Sequence, residues 1–400
     1  MEMQRFGILL LVAALAAPLH GREKVTAQQL EQAVYEARGK QDKDAARQLQ
    51  ELKLTERLSN ARLARLQAEL PGEKSRQALL AVADDSMFLG LPAADRLSIA
   101  EPDTATQGRI LRSAVEFVAA TLSKMPDFFA TQTTTRFQNM NIESLSSGAP
   151  GPVIVANHAF LLLDKSTATV TYVNGREVQE IGKKRKVLNA AENQQGLTNW
   201  GIFGPMLGVV MSDVLHGKAG WSHWEQGPTG PLAVFRYVVP EDTSHYTVSY
   251  CCVWMSGGRT RPFQTTPAYH GEIAVDPKTG DVLRLVVETD LKRGLPISEA
   301  DVAVDYGPVE IGGKTYICPV KSVSISKTRA LGPNMYIVYD PKAAPPKALA
   351  GKKPKEPQES ARLPLVTAVN DITFADYHVF RSEIRILPAD GAEPSATPQQ

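Results

Sequence analysis

Cysteine is scarce in this sequence. Only Cys251, Cys252 and Cys318 occur in 400 residues, which excludes a disulfide scaffold, and no Cys-x-x-Cys spacing marks a zinc site. An excess of charge of either sign is also missing. The 44 basic residues nearly balance the 43 acidic ones, so the phosphate neutralisation that nucleic-acid binding rests on is not provided for, and no nucleic-acid partner is expected. Long apolar runs are absent beyond the first twenty residues, so no transmembrane helix is expected in the mature chain.

The familiar catalytic signatures are missing as well. No G-x-S-x-G elbow is present, and Ser147 in SLSSGAP has no neighbouring base to activate it. The seven histidines (His20, His158, His216, His223, His245, His270 and His378) include no pair at i, i+4 and no HExxH. A lone strand histidine is more often structural than a ligand, so no metal site is expected. Gly312-Gly313-Lys314-Thr315 resembles the end of a phosphate-binding loop, but Pro308 stands where the first glycine is needed, and TYICPV reads as strand where a helix is required. No cofactor is expected.

What is present begins at the N-terminus. Arg5 precedes Phe6–Ala17, FGILLLVAALAA, about a dozen apolar residues and too few to cross a ~30 Å hydrocarbon core. Pro18 to Gly21 then supply small residues at a cleavage position. The layout is that of a secretory signal peptide over 1–21, and it predicts export to the periplasm or beyond. In that oxidising setting a bridge between Cys252 and Cys318 is expected, since both lie on probable strands. Cys252 is favoured over Cys251 because it shares a period-two face with Tyr246, Val248, Tyr250 and Trp254.

Residues 22–89 read as a helical domain. Thr26 is suited to cap AQQLEQAVYEAR, whose Leu30, Val34 and Ala37 share a face, and Gly39 ends that helix. DAARQLQEL, TERLSNARLARLQAEL and EKSRQALLAVADDSMFL follow with amphipathic stripes, the last two separated by Pro71-Gly72. Residues 90–104 look like a linker. A further helix, GRILRSAVEFVAATLSKM, ends at Pro126, and from there to about residue 390 the chain reads as antiparallel strands. Sharp turns are predicted at Asp276–Gly280 and at Gly312-Gly313. The Lys183–Lys186 run reads as a solvated loop, or else as a contact with an anionic envelope surface. A Lys/Pro-rich excursion over 341–362 and a tail over 391–400 cannot bury a core.

Within the β region, LTNWGIFGPMLGVVMSDVLHG is apolar nearly all round. It reads as a buried helix starting at Gly204-Pro205, or alternatively as an interfacial membrane segment. Trp200, Phe203, Met206, Met211, Trp221 and Trp224 around it are candidate ligand-lining residues, with a filled core as the simpler reading.

HGEIAVDPKTGDVLRL, DVAVDYGPVEIGGKTYICPV, LKLTERLSNARLARLQAELPG and MPDFFATQTTTRF are similar to segments of a group of exported, uncharacterised bacterial proteins. More distantly, the helix before Pro126 and the strand series resemble the outer-membrane lipoprotein-carrier superfamily. That resemblance implies an open β half-barrel whose concave face is plugged by helices and holds acyl chains; it carries no functional residue across. The expected architecture is therefore α+β, an N-terminal helical bundle followed by an antiparallel β half-barrel with a packed helix. The expected function is non-enzymatic binding of a lipid, another apolar small molecule or an envelope protein. The alternatives are a structural or interaction module without ligand and an envelope enzyme with a dispersed site.

Overall fold

The computed structural model of the protein describes residues 22–141, 159–181, 184–187, 196–197, 201–254, 260–329 and 365–379. The expected signal peptide over 1–21, Ser147, Trp200, the Lys/Pro-rich stretch 341–362 and residues 391–400 lie outside the described residues. The described chain is α+β. It divides into two units, one of residues 1–93, 137–162 and 354–367, the other of 94–136, 163–353 and 368–400.

In the first unit, β1 (Glu23–Val25) leads into α1 (Ala27–Ala37) and α2 (Asp42–Gln50), followed by β2 (Leu52–Leu54), α3 (Asn60–Glu69) and α4 (Glu73–Asp85). Thr26 starts α1 as its sequence foretold. Its hydroxyl accepts the Gln29 amide at 3.2 Å while the Gln29 side chain accepts the Thr26 amide at 2.8 Å. Leu30, Val34 and Ala37 are buried in one core with Leu49, Leu66 and Leu79. The parallel pairing of β1 with β2 was not foreseen. Such three-residue strands carry no periodicity to read. Pro71-Gly72 does separate α3 from α4, and the cap of α4 comes from another helix: Asp42, at the start of α2, accepts the Lys74 amide at 3.1 Å and the Ser75 amide at 2.9 Å. A Cβ on Gly72 would sit 2.4 Å from that carboxyl carbon, so the position has room for hydrogen alone.

In the second unit, Asp103 caps α5 (Thr104–Lys124), accepting the Thr106 amide at 2.7 Å. The strands and the last helix follow: β3 (Phe128–Asn141), β4 (Leu161–Val173), β5 (Arg176–Ile181), β6 (Lys184–Val187), β7 (Gly196–Leu197), α6 (Pro205–His216), β8 (Lys218–Gln226), β9 (Pro231–Val239), β10 (Val248–Trp254), β11 (Thr260–Thr265), β12 (Ala268–Val275), β13 (Val282–Asp290), β14 (Ile297–Ile311), β15 (Lys314–Arg329) and β16 (Leu365–Val379). Eleven of them form one open sheet in the order β6-β5-β4-β3-β16-β15-β14-β13-β12-β9-β8. Its pairings from β8 to β15 and from β4 to β6 are antiparallel. Gly312 and Gly313 take φ of 61° and 79° in the hairpin between β14 and β15, as the sequence requires. At the other expected turn, Gly280 has φ 81°, and a Cβ there would lie 2.6 Å from the Ser113 carbonyl of α5.

Helices α5 and α6 share a core with one face of this sheet. Ile110, Ala114, Val210 and Met211 pack with Phe235, Tyr269, Leu285 and Val302. Leu232, Val234, Ala274 and Leu283 are buried on the opposite face. Burial on both faces explains why LAVFRYVV and VLRLVV concentrate apolar residues instead of alternating them.

Three expectations are corrected. First, β10 belongs to a separate three-stranded sheet, β11-β10-β7, and not to the sheet that holds β15. The Cys252–Cys318 bridge therefore does not form: Cys251 is bonded to Cys252, and Cys318 is a free, buried thiol. Period two also fails at this pair: the register shifts between Tyr250 and Val253, and Cys251, not Cys252, is the more buried of the two. Second, Lys184 to Lys186 of the basic run are strand residues of β6, not loop. Third, residues 96–100 are not a free linker. They run beside β8, where the Leu97 amide donates to the Trp224 carbonyl at 3.0 Å and the Trp224 indole donates to the Ala100 carbonyl at 2.9 Å.

Candidate functional site

The expected ligand-lining residues occupy the core of the second unit. Phe203 is buried, its ring 4.9 Å from Phe374, 5.4 Å from Phe128 and 6.2 Å from Tyr377. Met206 and Met211 are buried in the same core. Trp221 and Trp224 are half-buried on β8, 5.0 Å apart, with Trp221 5.6 Å from Phe235. Three residues apart on a strand they should face opposite ways. A bulge between Trp221 and His223 resets the phase and puts both opposite inward-facing residues, Phe235 and Ala233. Ring contacts on several sides of Phe203 are the mark of a filled core.

Beneath Phe203 lies a carboxylate that no motif announced. Glu177, at the start of β5, is fully buried and accepts the amides of Gly201 at 3.2 Å and Phe203 at 2.8 Å. Removal from water pushes its carboxyl up to about 7, against the pull of those two hydrogen bonds. It ties the entry of α6 to the sheet.

A second convergence joins α6, the loop before β10 and β12. Asp213 accepts the His245 ring Nδ1 at 2.6 Å, the His245 amide at 2.8 Å and the Tyr269 hydroxyl at 2.9 Å. A buried carboxylate holding an imidazole is how a base is oriented for catalysis. Here the imidazole is 76% exposed. The arrangement acts as a staple between three elements. On the opposite sheet face Arg284 forks onto Glu225, with His223 Nε2 3.6 Å from the same carboxylate. All three are buried.

The first unit contains a pocket of about 300 Å³. One wall is a face of α2, Lys43, Ala46, Arg47 and Gln50, at the i, i+3, i+4, i+7 spacing of a helix. The second is the matching face of α4, Lys74, Gln77 and Ala78. Phe137, Phe160 and Leu162, from the segment 137–162 of the same unit, complete it with apolar surface. Ala46 and Ala78 are buried and small, which leaves the space open between the helices. Asp42 fixes the two helices against each other. Hydrogen bonds from Ser75 hold its carboxyl below the usual carboxylate value, so its charge is committed to the α4 N-terminus. Phe160 is held in turn by Arg22, whose guanidinium lies 4.8 Å over its ring and pairs with Asp85 at 2.8 Å. The cations Lys43, Arg47 and Lys74 stand with two glutamines beside an apolar surface, and none of the ten lining residues is acidic.

Sequence reasoning missed this pocket. The polar face of DAARQLQ was visible, but nothing local connects it with aromatics about ninety residues away. Among the described residues no group of three or more His, Cys, Asp or Glu is placed to hold a metal ion, and no helix is long and apolar enough to cross a membrane. Compared with known proteins, the chain matches no family model, no curated protein and no solved structure.

Proposed function

We propose that this is an exported envelope protein that binds a small amphipathic ligand in the pocket of its helical unit. One observation carries the reading: Ala46, Ala78, Phe137 and Phe160 give the pocket an apolar interior, while lysine, arginine and glutamine side chains surround it. Apolar surface with a few placed polar groups is the usual composition of a ligand site, and about 300 Å³ stands at the small end of the range. The pocket lining includes no residue of α6, and the aromatics beside α6 fill their own core. We also read the open sheet as a half-barrel around α5 and α6. Support for this is the placement of both helices on one face.

Export rests on the Arg5 to Gly21 layout, and the mature N-terminus should lie near Arg22. The deciding experiment is native mass spectrometry of protein purified from its own envelope fraction, followed by solvent extraction. A single-chain amphiphile bound one to one is the expected result. Protein that emerges bare, and binds no amphiphile added afterwards, removes the reading.

The enzyme alternative draws on the Asp213–His245 contact. We set it second because the imidazole is 76% exposed. The structural-module alternative draws on the filled core around Phe203.

A further inference from the structure

We infer that the ligand of this pocket is an anion, a single apolar chain ending in a carboxylate or phosphate group, with its head held by Lys43, Arg47 and Lys74. The inference rests on the binding role proposed above and adds the charge class of the ligand and the placing of its head.

The argument is one of local charge balance. Overall the chain is nearly neutral, with a formal net charge of +1, so no general field draws anions to it. The three cations come from facing positions on two helices, and no carboxylate lines the pocket with them. The acidic residues closest to them in sequence lie outside the pocket lining. Asp42 is turned onto the Ser75 and Lys74 amides. Glu73 is 3.7 Å from Arg76 and accepts the Gln77 side chain at 2.9 Å. Asp44 reaches Arg47 only at 3.9 Å, with both side chains more than half exposed, a pairing of little strength. Asp42 acts on Lys74 from behind and Asp44 on Arg47 from the solvent side, so the three cations receive partial counter-charge from the helices and none from the side chains that line the opening. A cationic head would meet like charge there, and a neutral head would leave the cations to water. Phe137, Phe160 and Leu162 provide the apolar side, and Leu162, 40% exposed, marks where that surface reaches solvent. A volume of about 300 Å³ suits one chain and not a two-chain lipid.

The test uses the full mature protein and calorimetric titration with four dodecyl amphiphiles below their micelle concentrations, plus inorganic phosphate. Dodecanoate and dodecyl phosphate should bind one to one, more weakly as salt rises. Dodecyltrimethylammonium, dodecyl maltoside and inorganic phosphate should bind far more weakly. The double variant Lys43→Gln/Lys74→Gln should weaken dodecyl phosphate about 25-fold, taking about five-fold for each half-exposed ion pair lost. Lys24→Gln/Lys53→Gln removes the same charge from the paired strands β1 and β2, outside the pocket lining, and should leave binding as it is. Thermal unfolding of both variants checks that they fold. Equal affinity for all four dodecyl heads overturns the inference and leaves the binding role standing. Inorganic phosphate binding as tightly as dodecyl phosphate overturns it by showing an anion site without a chain site. Silence from every ligand removes the binding role itself, and the inference with it.

Discussion

Glu177 accepts the amide of Phe203 at 2.8 Å inside an apolar core, and through that contact a buried carboxylate fixes the loop that starts α6. Burial raises its folded-state value to about 7 from an ordinary 4.5, so the folded protein holds this proton more firmly than the unfolded chain does. The sign follows from linkage. Stability from this group is fully present below pH ~4.5 and is lost as pH rises through about 7, by on the order of 3 kcal/mol. Glu177→Gln removes the charge and keeps an acceptor. Urea unfolding at steps from pH 4.5 to 8 should show the variant gaining on the wild type across this window. Asp301, raised to about 7 mainly by burial, contributes in the same range but is common to both proteins. Parallel curves would refute the assignment.

The second prediction concerns three neighbouring strands. The Tyr237 hydroxyl on β9 passes over Gly271 of β12 and donates to the Val286 carbonyl of β13 at 2.6 Å. A Cβ on Gly271 would lie 1.9 Å from that carbonyl oxygen and 3.0 Å from the hydroxyl. Tyr237→Phe should cost about 1 kcal/mol, one buried hydrogen bond. Gly271→Ala should cost about 3 kcal/mol, since it overpacks the site and breaks the same bond. The two costs should add to less than their sum in the double variant. Denaturant midpoints of the four proteins decide it, and strict additivity would rule the coupling out.

A third prediction is chemical. Peptide mapping of the purified protein under non-reducing conditions should find Cys251 joined to Cys252 and Cys318 as a thiol. Burial pushes the Cys318 thiol up to about 12, so iodoacetamide should not reach it until urea unfolds the chain. Prompt alkylation in buffer, or a peptide linking Cys318 to either neighbour, contradicts this.

The Arg284–Glu225 pair gives a fourth. Arg284→Met alone takes the forked guanidinium from a buried carboxylate that keeps His223 at 3.6 Å, and a cost of about 3–5 kcal/mol is expected. Arg284→Met combined with Glu225→Gln should recover a good part of it. A double variant no more stable than the single one would show that the charge left behind was not the problem.

What could be read in the sequence was local. Thr26, the turn ending at Gly280, the Gly312-Gly313 hairpin and the Gly204-Pro205 helix start each depend on a few adjacent residues, and each lies where its chemistry placed it. The readings that failed required knowing which elements meet. Cys252 and Cys318 both lie on strands but not in one sheet. Trp221 and Trp224 face one way only because of a bulge, and a bulge has no period to detect. The pocket draws on α2, α4 and residues 137–162, and Glu177 meets Phe203 across 26 residues. Such contacts arise from tertiary packing, which amphipathic stripes permit without specifying.

The ends of the large sheet are β6 and β8, and an exposed strand edge is a template on which another chain can add itself. The stretch from Arg96 to Ala100 already occupies hydrogen-bonding groups along β8, through its bridge to Glu225 and its bonds with Trp224. At the far end, β6 is four residues long and three of them are Lys184, Arg185 and Lys186. Within the described sheet, a four-residue end strand at one margin and a stretch already covering the other each leave little edge for a further strand to add to.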